Sequence, residues 1–131
     1  MSKIQWMKEL EWTQEHLEDI RYAGYAYIRQ GKYDIAVSFF EALTVLDPES
    51  AYDAQTLGAI YLQLNNPLKA LKYLDRALKL DADHAPTLLN LTKALFMLGK
   101  KDEGLKLAKI LRKEPDAAIA NVAKALLLAW G

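Results

Sequence analysis

At 131 residues the chain has room for one domain with a buried core, and not for a catalytic domain beside a regulatory one. Its composition, 52% hydrophobic and 26% charged with six Gly and four Pro, excludes the disordered and fibrous classes. Seventeen Lys+Arg balance seventeen Asp+Glu, so no net field draws in nucleic acid or an anionic membrane, and zero cysteine excludes disulfide and thiol chemistry. The balance hides an asymmetry: residues 1–50 carry five basic and nine acidic side chains, a charge of −4, and residues 51–131 carry twelve and eight, a charge of +4.

In chain order, apolar periodicity predicts a helix over about 3–15, in which Ile4, Trp6, Met7, Leu10 and Trp12 lie on more than one face. That is more apolar surface than docking on one neighbour requires, which makes the segment the candidate for self-association. Helix pairs follow at about 17–30 with 33–46, 51–64 with 67–80, and 85–98 with 101–113, and a last helix covers about 116–130, eight in all. No segment shows strand alternation. Pro67 and Pro86 fall in first turns and Pro48 and Pro115 near corners, where a missing N–H costs little. No stretch approaches the ~18 apolar residues of a membrane span, and Met1–Leu10 has no unbroken apolar segment, so neither anchor nor export signal is expected.

The pairs repeat with a period of 34 residues: Gly24 recurs as Gly58, Tyr27 as Tyr61, Ala36 as Ala70, and Leu46-Asp47 as Leu80-Asp81. Gly31, Asn65 and Gly99 extend the same step to a third copy and read as left-handed corners between the helices of a pair. Glycine inside a helix costs roughly 1 kcal/mol against alanine, so Gly24 and Gly58 imply close helix approach, expected opposite Ala36 and Ala70.

With Leu57-Gly58, Tyr61, Ala70, Ala77 and a trailing Leu-Asp, residues 17–118 resemble the tetratricopeptide repeat (TPR). Repeats one and two match well. The third departs, with Thr92, Leu95 and Gly104 where glycine, tyrosine and alanine stand in the others. The resemblance implies an all-α TPR solenoid of about three helix-turn-helix repeats with flanking N-terminal and C-terminal helices, filling 1–131 as a single domain: N-terminal helix 1–16, repeats 17–50, 51–84 and 85–115, and a capping helix 116–131. Phe39-Phe40-Glu41-Ala42-Leu43-Thr44-Val45-Leu46-Asp47 and Gln55-Thr56-Leu57-Gly58-Ala59 resemble the TPR chaperones of bacterial type III secretion. That likeness implies a cytoplasmic protein that shields a secreted needle or translocator subunit, its N-terminal region serving dimer contacts or clasping; a homodimer and a co-chaperone both stay open.

Catalysis requires converging groups, and two histidines and three serines, none in an elbow or phosphate loop, supply none. Glu15-His16-Leu17-Glu18-Asp19 radiates around a helix and reads as a solvated face. Asp81-Ala82-Asp83-His84 reads as capping of the third repeat. No enzyme activity, metal or cofactor is expected. Lys100, Lys101, Lys106, Lys109, Arg112 and Lys113 read as a solvated outer helix. The TPR resemblance assigns the peptide-binding groove to the first helix of each pair: Arg21, Tyr22, Tyr25, Ile28 and Arg29; Tyr52, Gln55, Ala59 and Leu62; Leu89, Asn90, Lys93 and Phe96. Tyr22, Tyr25, Tyr52, Leu62, Leu89 and Phe96 are the expected apolar contacts, with Arg21, Gln55, Asn90 and Lys93 orienting the guest. TPR domains that hold acidic carboxyl termini resemble one another in a cationic clamp, and Tyr25, Thr56 and Pro86 stand in three of its slots here, which disfavours an acidic tail as guest. The expected partner is a helical or extended apolar segment of another protein; a general TPR scaffold is the alternative.

Overall fold

The computed structural model describes residues 14–131 and contains, among them, seven helices: α1 Gln14–Arg29, α2 Tyr33–Leu46, α3 Ala51–Gln63, α4 Pro67–Leu80, α5 Ala85–Met97, α6 Lys101–Leu111 and α7 Ala117–Trp130. The helix expected at 3–15, with Ile4, Trp6, Met7, Leu10 and Trp12, lies almost wholly outside the described residues. Gln14 and Glu15 belong to α1, which runs through the division expected at 16–17.

Each helix packs on the next, and α3 touches α5 as α5 touches α7, so the first helices of the pairs form an inner row and α2, α4 and α6 an outer one. The corners form as the spacing predicts, with positive φ at Gly31 (72°), Asn65 (58°) and Gly99 (77°). There the N–H of Lys32, Asn66 and Lys100 each reaches back to the carbonyl of Tyr27, Tyr61 and Leu95 at 2.9 Å, closing the helix end before the chain reverses. Helix starts are capped where the sequence supplies an oxygen: Ser50 Oγ accepts from Asp53 N–H at 3.2 Å and Asn66 Oδ1 from Lys69 N–H at 3.3 Å. The acids before α5 do not cap it. His84 occupies that position and its Nδ1 meets Thr87 Oγ1 at 2.7 Å, while Asp81 closes the end of α4.

One core runs through the first two pairs around Leu17, Phe40, Leu43, Leu57 and Leu74, each wholly buried, and a second joins Leu89 and Leu111 to Ile119 and Ala123 of α7. The helical glycines do hold the pairs close, though not always against the expected neighbour. A Cβ on Gly24 would lie 2.7 Å from the Phe40 ring, and one on Gly58 would lie 2.7 Å from Leu74 Cδ2 and 3.3 Å from the Ala70 carbonyl. In the third pair the arrangement is reversed: the bulk is Phe96 on the inner helix and the gap is Gly104 on the outer one, where an added Cβ would lie 2.7 Å from a ring carbon. Gly58→Ala is therefore expected to destabilise by about 1–2 kcal/mol, overpacking against the enclosed Leu74 outweighing the helix-propensity gain; a shift of the urea midpoint measures it, and an unchanged midpoint would contradict the packing.

Tyr61, 5% exposed, stacks on Tyr73 with centroids 5.8 Å apart and donates its hydroxyl to Glu41. Burial, followed by the Glu41 carboxylate and then Tyr73, pushes its phenol well above the ordinary range. A raised folded-state value means that neutral Tyr61 stabilises the fold fully below the unfolded value of about 10, and that this contribution is lost as pH rises beyond it. Urea midpoints are expected to fall above about pH 10, less steeply in Tyr61→Phe.

Candidate functional site: the inner groove

Ser50 starts α3 beside α1, so that Tyr52, in the first turn of α3, meets Tyr25 on α1. The two rings stack with centroids 6.1 Å apart and 14° between planes. Tyr25 is held from behind by the edge of Phe40 at 6.5 Å, and the Arg29 guanidinium sits 5.9 Å from the Tyr25 centroid. Burial first, then the neighbouring Tyr25, pushes the Tyr52 phenol up. Tyr22, Tyr25 and Tyr52 stay 73%, 38% and 44% exposed, an aromatic floor open to water.

Around this floor lie three connected depressions. A cleft of about 940 Å³ is lined by Gln14, Glu18, Asp19, Arg21, Tyr22, Tyr25, Arg29, Asp47, Glu49, Ser50 and Tyr52. Past Tyr25, a pocket of about 230 Å³ is walled by Ile28, Tyr33, Gln55, Thr56, Ala59, Ile60 and Gln63. Past Tyr52, one of about 130 Å³ is bounded by Ala51, Gln55, Asp81, His84 and Thr87. Tyr25, Tyr52 and Gln55 are the partitions, each shared by two of the three.

Of the residues assigned to the groove from sequence, the structure brings Tyr22, Tyr25, Ile28, Tyr52, Gln55 and Ala59 together there. Arg21 lines the cleft but is not available to orient a guest. Its Nε and Nη2 donate to the two oxygens of Asp53 at 2.8 and 2.7 Å, Nη2 to Asp47 at 2.6 Å, and Nη1 to Glu18 at 2.6 Å. The hydrogen bond to Asp53 outweighs burial and drives the guanidinium further above its ordinary value, so it is a fixed cation whose donors tie α1 to α3. Leu89 and Phe96, assigned as guest contacts, are 8% and 3% exposed. Leu89 belongs to the core with Leu111, Ile119 and Ala123, and Phe96 stacks on Trp130 with centroids 5.0 Å apart. α7 thus covers their sites. Leu62 is half-buried against the first core, and Asn90 and Lys93 are half-buried on α5 away from the three depressions. The open groove belongs to repeats one and two and the start of α5. Sequence reasoning missed the rim carboxylates Asp19 and Glu49, for which the −4 charge of residues 1–50 was the available signal. The basic residues 100, 101, 106, 109, 112 and 113 are exposed, as expected of an outer helix and its ends.

Paired helices at a 34-residue step with an inner groove define a tetratricopeptide-repeat protein. The chain belongs to the family described as anaphase-promoting complex, cyclosome, subunit 3, whose profile matches residues 29–110. It is 27% identical over 118 residues to anaphase-promoting complex subunit 3 of Schizosaccharomyces pombe; the match covers 89% of this chain and spans only 18% of that protein. Among solved structures it is similar to PcrH of Pseudomonas aeruginosa in complex with the chaperone binding region of PopD, at 25% identity and TM-score 0.79, covering 89% of this chain and 92% of that one. It also resembles the type III secretion translocator chaperone SycD of Yersinia enterocolitica, at 20% identity and TM-score 0.79, covering 94% and 96%. No described helix is long and apolar enough to cross a membrane.

Proposed function

We propose that this chain is a cytoplasmic type III secretion chaperone that binds, one to one and without turnover, an apolar or amphipathic segment of a secreted needle or translocator subunit and keeps it from assembling before export. The observation that carries this reading is the exposed aromatic floor of Tyr22, Tyr25 and Tyr52 within a concave surface. Monomers rarely leave a contiguous apolar patch in water unless something covers it, and a guest helix or extended segment is the natural filler. The likeness to PcrH, solved with the chaperone binding region of another protein, supports it.

A second reading, a TPR scaffold joining subunits of a stable assembly, is favoured by the family to which the chain belongs and by its fission-yeast relative. Affinity capture from the native host, using this chain beside its Tyr52→Glu variant, separates the two. A small secreted subunit that polymerises when alone, recovered by the parent only, supports the chaperone. An abundant partner that is stable alone moves the reading to the scaffold.

A further inference from the structure

We infer that the groove selects a guest segment carrying lysine or arginine next to its apolar anchors, and that Asp19 and Glu49 receive this cation. The inference rests on the groove reading above and specifies the guest it takes. The carboxylates of Glu18, Asp19, Asp47, Glu49 and Asp53 collect where α1 runs beside the first turn of α3, and among the described residues Arg21 is the one cation in their midst. Arg21 has already committed four of its five N–H donors to Glu18, Asp47 and Asp53, so its charge is spent on that trio rather than on the rim. The positive end of the α3 dipole offsets roughly half a charge more. Asp19 and Glu49 are exposed, line the cleft and have no hydrogen bond or ion pair within the described residues.

The other cation of the cleft, Arg29, lies ten residues further along α1, about 15 Å away at 1.5 Å per residue, over the Tyr25 ring. The groove is therefore polarised: acidic at one end, aromatic in the middle, cationic at the other. An acidic or neutral-flanked guest would leave the rim carboxylates unpaired or repelled, whereas a basic residue beside apolar side chains on Tyr25 and Tyr52 pairs with them. A bound metal ion does not meet this demand, since no group of described side chains could hold one.

The test uses the full chain and synthetic peptides with one Leu/Phe core flanked by Lys, Gln or Glu, with binding read by fluorescence anisotropy. The Lys peptide is expected to bind about three- to tenfold tighter than the Gln peptide, as two exposed ion pairs allow, with Glu weakest and the differences shrinking in high salt. Asp19→Lys combined with Glu49→Lys should invert the order; both residues stand outside the Arg21 network, and circular dichroism verifies that the variant stays helical. Equal binding of all three peptides, or an order unchanged in the double variant, overturns the cation preference and leaves the groove intact. Failure of every peptide to bind overturns the groove reading together with it.

Discussion

Arg21→Ala is expected to lower folding stability by about 3–5 kcal/mol, the range for removing one partner of a buried ion pair. The effect comes from what is left behind: Asp53 has a fully buried side chain, and Arg21 supplies both of its carboxylate oxygens with hydrogen bonds. Without them a carboxylate stays in a poorly hydrated site, and the 11%-exposed Asp47 loses the ion pair that Arg21 gives it. Arg21→Lys should recover only part of the loss, because a single ammonium cannot reproduce the fork that serves Asp53 and Asp47 at once. Arg21→Leu combined with Asp53→Leu should be more stable than Arg21→Ala alone, since it removes the stranded charge along with its partner. Urea denaturation of the variants gives the comparison. A loss below about 1 kcal/mol in Arg21→Ala, the level of a surface ion pair, would refute the clasp.

The clasp also marks where sequence reading stopped. Gly31, Asn65 and Gly99 announced the corners because left-handed backbone is a local demand that few residues meet, and the 34-residue step set the inner and outer rows. Arg21 stands at a position the repeat turns toward the groove, and nothing local shows that its partners lie 26 and 32 residues further on. Phe96 was assigned to the guest for the same reason. Its cover, Trp130, stands one period later on α7, a helix expected to cap the solenoid but with nothing in its sequence fixing how far it reaches across the inner face. The exchange of bulk and gap between Phe96 and Gly104 is likewise a pair property: Gly104 alone looks like a departure from the repeat, and only its contact with Phe96 shows that the two compensate. Tyr22, Tyr25 and Tyr52 of the first two repeats stay exposed where the repeat turns them, because no later element covers them.

That uncovered state sets the size of the second effect. Tyr52→Glu is expected to weaken guest binding by about 2–4 kcal/mol, roughly 30- to 1000-fold, the loss typical of an aromatic anchor near the centre of an interface. Tyr52 partitions the large cleft from the pocket that begins α5 and stacks on Tyr25, so its removal takes away one ring of that stacked pair, and the new carboxylate must be desolvated beneath an apolar guest. Folding should change far less. The ring is 44% exposed, and the loss of its stacking, about 0.5–1.5 kcal/mol, is partly offset by an acid placed in the first turn of α3, where the helix dipole favours it. Tyr52→Phe retains the stacked ring and should bind within a few-fold of the parent. Titration of the captured guest, or of the Lys-flanked peptide, into the parent and both variants measures the difference, with helical content checked in parallel. If folded Tyr52→Glu binds as the parent does, the guest does not lie across the Tyr25–Tyr52 floor. The partner surface must then be sought on another face of the solenoid.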